Sequence, residues 1–167
     1  MRPFAPVAKF HRYEYRRNLP HYQKDDRPVF VTFRARENTI LSAEDRSLVL
    51  DHCLYDNGRR YHLHAAVIMP DHVHVLFTAL RDLQGWTFAL PEILKAMKGT
   101  SARSINKLHG RFGPVWQDES FDHVMRGTES LRETVEYICE NPVRKGLVQK
   151  WQDYRWLWVE PEMAPML

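Results

Sequence analysis

The stretch from Arg60 to Ala79, RYHLHAAVIMPDHVHVLFTA, decides how the rest of the chain is read. Two runs rich in β-branched and apolar residues are broken at Pro70-Asp71, a pattern that predicts two antiparallel strands joined by a tight connection. With Pro70 and Asp71 as a two-residue turn, Met69 lies opposite His72 and Val67 opposite His74. His72 and His74 stand two apart, and the strand period of two puts both imidazoles on one face while Val73 points the other way. Two neutral imidazoles so placed can hold one divalent ion. His62 and His64 form a rival pair. Continuing the same register carries His64 to the other side of the sheet, which assigns His62 and His64 to packing or helix contacts rather than to the same ion.

Outward from this hairpin, VFVTFRAR (29–36) alternates, with Val29, Val31, Phe33 and Ala35 on one side, as in a half-buried strand. Ser42 and Asp45 have capping-box spacing, and the helix they start runs to Asn57-Gly58. Leu90, Ile93, Leu94, Met97, Ile105 and Leu108 recur at helical spacing through LPEILKAMKGTSARSINKLHG, and Gly110, Gly113 and Pro114 break that helix. VWQ and FDHVMR supply a further strand. Thr128 or Ser130 then caps SLRETVEYICEN, which Pro142 is expected to end because the residue before a proline avoids the α region. The order β, α, β, β, α, β, α predicts an α+β fold of ferredoxin-like type, an antiparallel sheet with helices packed on one face. WQDYRWLWVE then forms a last strand or a strap. Residues 1–167 read as a single domain, with 1–28 a basic extension and 150–167 a C-terminal tail.

The 167 residues, 44% hydrophobic and 27% charged, are those of an ordinary globular protein and exclude disorder and fibrous repeats. No apolar run reaches the length of a membrane span, and the N-terminus lacks the apolar core of a signal peptide, so the expected compartment is the cytoplasm. Cys53 and Cys139 form no CxxC pair and read as buried thiols. The net charge of +3 and pI near 8.9 point mildly to nucleic acid. More telling is where the charge sits. Arg12, Arg16 and Arg17 alternate with Tyr13 and Tyr15, and Lys95, Lys98, Arg103, Lys107 and Arg111 cluster around the second long helix. Basic and aromatic side chains interleaved in this way can pair phosphates while bases stack on rings.

On the last helix Leu131, Val135 and Ile138 make an apolar stripe, while Glu133, Tyr137 and Asn141 share another face. A phenol ionises only near pH 10, so a nucleophilic tyrosine needs a nearby cation to favour phenolate or to make the phosphorus more electrophilic. An ion on His72, His74 and the Asn141 amide oxygen does the latter by polarising a non-bridging phosphate oxygen. All three ligands are neutral, which suits Mg²⁺ or Mn²⁺, Mn²⁺ being the more comfortable with imidazole.

In RRNLPHYQ, VFVTFRAR, LHAAVIMPDHVHVLF, KGTSARSINKL, GPVWQDESFDHVMR and YICENPVRKGLV, followed by DYRW, the chain resembles the REP-associated tyrosine transposases, a branch of the single-tyrosine HUH transposase superfamily. These stretches span most of residues 16 to 156. The resemblance implies an HUH endonuclease fold, with His72 and His74 as metal ligands, Tyr137 as nucleophile and Asn141 as third ligand. It implies cleavage and rejoining of single-stranded DNA at hairpin-forming palindromic repeats flanked by a tetranucleotide guide, through a 5′-phosphotyrosine and a free 3′-hydroxyl. DNA contacts fall on Arg16, Arg17 and His21 and on Lys98, Ser101, Arg103 and Lys107, whereas Gln117, His123 and Arg126 either touch DNA or order the strand beside the site. The resemblance leaves open a monomer or a homodimer, and its DNA partner implies association with the nucleoid. The alternative to a strand-transfer enzyme is a hairpin-binding module of the same fold that does not cut.

Overall fold

The computed structural model describes residues 26–126 and 129–167 in full, and the backbone of 14–16 and 20–22. In the N-terminal extension β1 (Glu14–Arg16) and β2 (Pro20–Tyr22) pair as a small antiparallel ribbon that the sequence reading did not anticipate. The main sheet contains β3 (Pro28–Ala35), β4 (Tyr61–Ile68), β5 (His72–Ala79), β6 (Trp116–Val124) and β7 (Leu157–Val159), in the order β6-β3-β5-β4-β7. Every neighbouring pair is antiparallel. Helices α1 (Ala43–Tyr55), α2 (Leu90–His109) and α3 (Leu131–Arg144) complete the expected βαββαβ order followed by a third helix. Ser42 caps α1 in a reciprocal capping box with Asp45, as its spacing predicts. Among the described residues no helix is long and apolar enough to cross a membrane.

The helices do not lie on one face. Val49 and Cys53 of α1 and Ile93, Leu94, Met97 and Ile105 of α2 pack against Val29, Val31, Phe33, Leu63, Ile68, Val73, Val75 and Phe77. Val135, Ile138 and Cys139 of α3 cover Ala65, Val67, Met69 and Leu76 from the other side. The reason is in the central hairpin, where β4 and β5 are apolar on both faces and each needs a cover. Cys53 and Cys139 are both buried, and burial first of all pushes each thiol up to about 12.

Two local features overturn the expectations from sequence. The register puts Val67 opposite His74 as predicted, but a bulge between Leu63 and Ala65 inserts His64 into β4 and sets His62 opposite Thr78. One inserted residue reverses which face the preceding side chains take. His62 and His64 therefore share the α3 side of the sheet with His72 and His74, not the opposite side. They stay separate from that pair because Thr78 is four residues, about 13 Å, along the strand from His74. The second feature is Pro142, which α3 passes through to end at Arg144. Proline removes only its own N–H from the ladder, and Lys145 N–H still donates to the Asn141 carbonyl. The ring is itself buried, so packing offsets an interior-proline cost of about 3 kcal/mol.

The turn from Met69 to His72 is fixed from three sides. Met69 N–H donates to the His72 carbonyl at 2.8 Å, Ala35 N–H to Asp71 at 2.9 Å and Leu41 N–H to Pro70 at 2.7 Å. From the tail, the Tyr154 hydroxyl donates to the Ile68 carbonyl at 2.8 Å and accepts from Arg46, whose guanidinium lies 3.6 Å over the Trp156 ring. The tail is thus both alternatives at once, a strap at Tyr154 and a strand at β7. Tyr154→Phe should cost about 1 to 2 kcal/mol by leaving the buried Ile68 carbonyl without its donor. Urea unfolding measures this, and an unchanged midpoint would remove the strap from the account of the turn.

Candidate active site

His72 and His74 leave β5 on the face that α3 covers, at the end nearest the fixed turn. Each ring is held by its Nδ1, His72 at 2.6 Å from Asp71 Oδ1 and His74 at 2.7 Å from Thr32 Oγ1 on β3. Asp71 is in turn 3.5 Å from Arg34. Burial tends to raise the Asp71 carboxyl, but the hydrogen bond and charge of His72 and the Arg34 charge outweigh it and hold the group below the usual carboxylate range. With both Nδ1 atoms engaged, the two Nε2 atoms face each other at 3.1 Å. Burial, then the neighbouring His72 and Arg34, pushes His74 down to about 3, so this imidazole stays neutral and keeps a lone pair across the physiological range.

Ser130 starts α3 by accepting from Glu133 N–H at 3.2 Å. With Val135 and Ile138 buried, the helix phase brings the Tyr137 ring edge-on to His74, centroids 5.9 Å apart, and to Phe30 at 6.0 Å. Phe30 also stacks on His74 at 5.4 Å, bracing the imidazole from the β3 side. Tyr137 is 40% exposed, and its hydroxyl makes no hydrogen bond among the described residues. One turn on, Asn141 is only 6% exposed. A further turn brings the Arg144 guanidinium to 4.8 Å from the centre of the Tyr137 ring.

The sequence reading passed over Thr32, Asp71, Phe30 and Arg144. Arg144 was hidden by the assumption that Pro142 ends the helix, since seven residues from Tyr137 is two helical turns on one face only if the helix continues. The pairing of β3 with β5 puts Thr32 opposite His74, a register that no local pattern contains. Thr32 also pairs with Phe121 on β6, so Phe121 shares the His74 face, beside the part of the sheet that α3 leaves uncovered. At 58% exposure it is a large exposed ring on the same face as His74, one strand beyond Thr32.

The predicted DNA contacts fare unevenly. Arg17 lies outside the described residues, and of Arg16 and His21 only the backbone is described, in β1 and β2. Ser101 is wholly buried, bonded to the Met97 carbonyl and accepting from Trp116 Nε1, so it is a packing residue and not a surface contact. The Lys98 ammonium bonds the Gln117 and Asp118 carbonyls and Ser120 Oγ at 2.8 to 3.0 Å, fastening α2 to β6. Arg103 and Lys107 are exposed, but α2 packs on the sheet face opposite to His72 and His74. Gln117 donates to the Ala35 carbonyl and His123 pairs with Glu129, which also accepts from the Arg126 backbone N–H.

The model of the family "Transposase IS200 like" matches residues 30–141, a span that starts at Phe30 and ends at Asn141. This chain belongs to the IS200-like transposase family. A REP-associated tyrosine transposase of Escherichia coli (strain K12) is 28% identical over 142 residues, covering 84% of this chain and 79% of that protein. Among solved structures, a REP-associated tyrosine transposase bound to a REP hairpin is similar with a TM-score of 0.65 at 19% identity, covering 90% of this chain and 82% of that one. The fold of this IS200-like transposase is therefore the α+β HUH fold, and its family is one of DNA-processing enzymes.

Because Lys98 is consumed by β6, Lys98→Met in this transposase should lower stability by about 1.5 kcal/mol, the low end for bonds to a charged group. The slope of log affinity for DNA against log salt should stay unchanged, whereas a phosphate-contacting lysine lowers it by about one. Denaturation and a salt series of binding isotherms separate the two.

Proposed function

We propose that this chain cleaves and rejoins single-stranded DNA at a palindromic hairpin, with Tyr137 as the nucleophile and a divalent ion on His72, His74 and Asn141. The observation that carries the reading is the pair of buried Nε2 atoms facing each other at 3.1 Å, with the Tyr137 ring beside them. Adjacent ligands of an octahedral Mg²⁺ or Mn²⁺ ion stand about 3 Å apart, so the spacing fits, and both outer ring nitrogens already have partners that fix the rings. Asn141, only 6% exposed and one turn on from Tyr137, supplies the amide oxygen of the set. When bound, the ion supplies Lewis-acid polarisation of a non-bridging phosphate oxygen.

The chain's own residues account for the rest. The Tyr137 oxygen attacks phosphorus, the bond from phosphorus to the 3′ oxygen breaks, and that oxygen leaves with a proton as a 3′-hydroxyl while the 5′ phosphate stays on the tyrosine. The ester retains a transferable phosphoryl bond, so a second 3′-hydroxyl reverses the step and reseals the strand without another energy source. Arg144, over the Tyr137 ring, presents a permanent cation to the phosphate and to the developing phenolate. The exposed Phe121 and Arg34, on the face shared with His74 and His72, offer a ring for a base and a charge for the backbone. A hairpin partner is supported by the REP hairpin bound in the structural relative and by the basic residues of the extension.

Tyr137→Phe should abolish the covalent protein–DNA adduct formed on a hairpin oligonucleotide with a single-stranded flank and leave hairpin binding unchanged. An adduct retained by that variant on a denaturing gel would sink the assignment. A wild-type protein that binds the hairpin equally with and without metal and never cuts it would favour the non-cleaving module. Phe121→Ala should weaken binding of the single-stranded flank by about 1 to 3 kcal/mol, while a blunt hairpin without a flank binds as before.

A further inference from the structure

His62, His64 and Glu160 form a second cluster on the α3 side of the sheet, remote from His72 and His74 along the strand. His62 Nε2 lies 2.6 Å from one Glu160 carboxylate oxygen and His64 Nδ1 lies 3.1 Å from the other. The ligand atoms of all three residues fall within 4.8 Å of one another. Two strands and one irregularity create this convergence. The bulge places His64 beside His62, and Glu160, directly after β7, pairs its own N–H with the His64 carbonyl at 2.9 Å. Without the bulge, strict alternation counted from Ala65 would carry both histidines to the opposite face of the sheet.

Charge shows what the cluster lacks. The Glu160 side chain is mostly buried, and among the described residues its only ionic partners are the two imidazoles. A mostly buried carboxylate beside two imidazole nitrogens, with no lysine or arginine partner among the described residues, is a donor set for a cation. On the far side of His64, Nε2 lies 2.9 Å from Thr78 Oγ1. When the ring proton sits on Nε2 it donates to this hydroxyl, which frees the Nδ1 lone pair and fixes the ring, an arrangement common behind metal-bound imidazoles.

We infer that His62, His64 and Glu160 bind a zinc-class transition ion that staples the C-terminal tail to β4. Two imidazole nitrogens and one carboxylate suit Zn²⁺ far better than Mg²⁺, which prefers oxygen ligands throughout. His62 is about half-exposed, leaving one side of the site open to water as a fourth ligand. Beyond Glu160 the chain turns back so that Met163 and Leu167 pack on the apolar cluster between the sheet and α3, and the ion would fix the point from which that segment departs.

The test uses the full chain, stripped with a chelator and dialysed against Co²⁺, whose visible bands report coordination geometry. In the His72→Ala/His74→Ala protein the other histidine pair is gone, so any ion retained reports on this site alone, whatever the fate of the Tyr137 reading. One Co²⁺ per chain is expected there, with intense four-coordinate bands, and adding Glu160→Gln or His62→Ala should abolish it. Zn²⁺ should raise the melting temperature of the double variant but not of the same protein carrying Glu160→Gln. Where the double variant folds poorly, the same loss of one ion per chain is read between wild type and His62→Ala, whose half-exposed ring is dispensable for packing. Equal Co²⁺ retention with and without Glu160 and His62 overturns the inference, as does a folded double variant that retains none.

Discussion

The backbone of the Met69–His72 turn is bonded to the end of β3, to the segment before α1 and, through Ile68, to the Tyr154 strap. Three parts of the chain, two from the β3–α1 connection and one from the C-terminal tail, thus converge on one two-residue connection. Much of the remaining structure follows from this constraint. The hairpin it closes is apolar on both faces, which draws α1 and α2 to one side and α3 to the other. The first polar side chains after the turn are then forced to lie under α3. Two imidazoles in that position lose solvent and gain fixed partners at once, and for this reason their outer nitrogens are tied while their inner nitrogens face each other.

The candidate site is an arrangement of fixed parts rather than of flexible ones. His74 is held by Thr32 from β3 and stacked by Phe30 from the same strand, so β3 acts as a template for β5. The Tyr137 ring reaches the histidines because Val135 and Ile138 sit in the core and set the rotation of α3. Reaction at such a centre depends on holding partners in place, since misplacement by about 1 Å can cost a hundredfold in rate. In the proposed reading, the exposed aromatic and basic groups nearby, Phe121, Arg34 and Arg144, are where adaptability to a flexible strand belongs.

Much of this was legible in the sequence because the signals were local. The turn at Pro70-Asp71, the period of β3, the Ser42 capping box and the stripe of α3 each lie within a few residues, and each corresponds to an observed element. The failures share the opposite property. The face of His64 depended on a bulge that only the pairing with β5 reveals, and the extent of α3 depended on packing that offsets the cost of Pro142. The resemblance gave Lys98 and Ser101 as DNA contacts, and the basic cluster also pointed to Lys98, but neither signal carries a mark of what lies opposite, which here is β6 and Trp116. Thr32 and Arg144 were missed for the same reason, one across a strand pair and one across a proline.

The extra residue at His64 gives β4 two phases. From Ala65 onward its even and odd positions follow the count set by the turn, and before Leu63 they follow the opposite count, so one short ribbon carries two separate inscriptions on the same side. A protein that needs two polar clusters on one face of a sheet otherwise needs a longer sheet or another strand. Here the change of parity achieves it within eight residues. The same device makes the two clusters unequal in what they tolerate: lengthening or shortening β4 by one residue beyond the bulge rewrites the half nearer the tail and leaves the half nearer the turn in step.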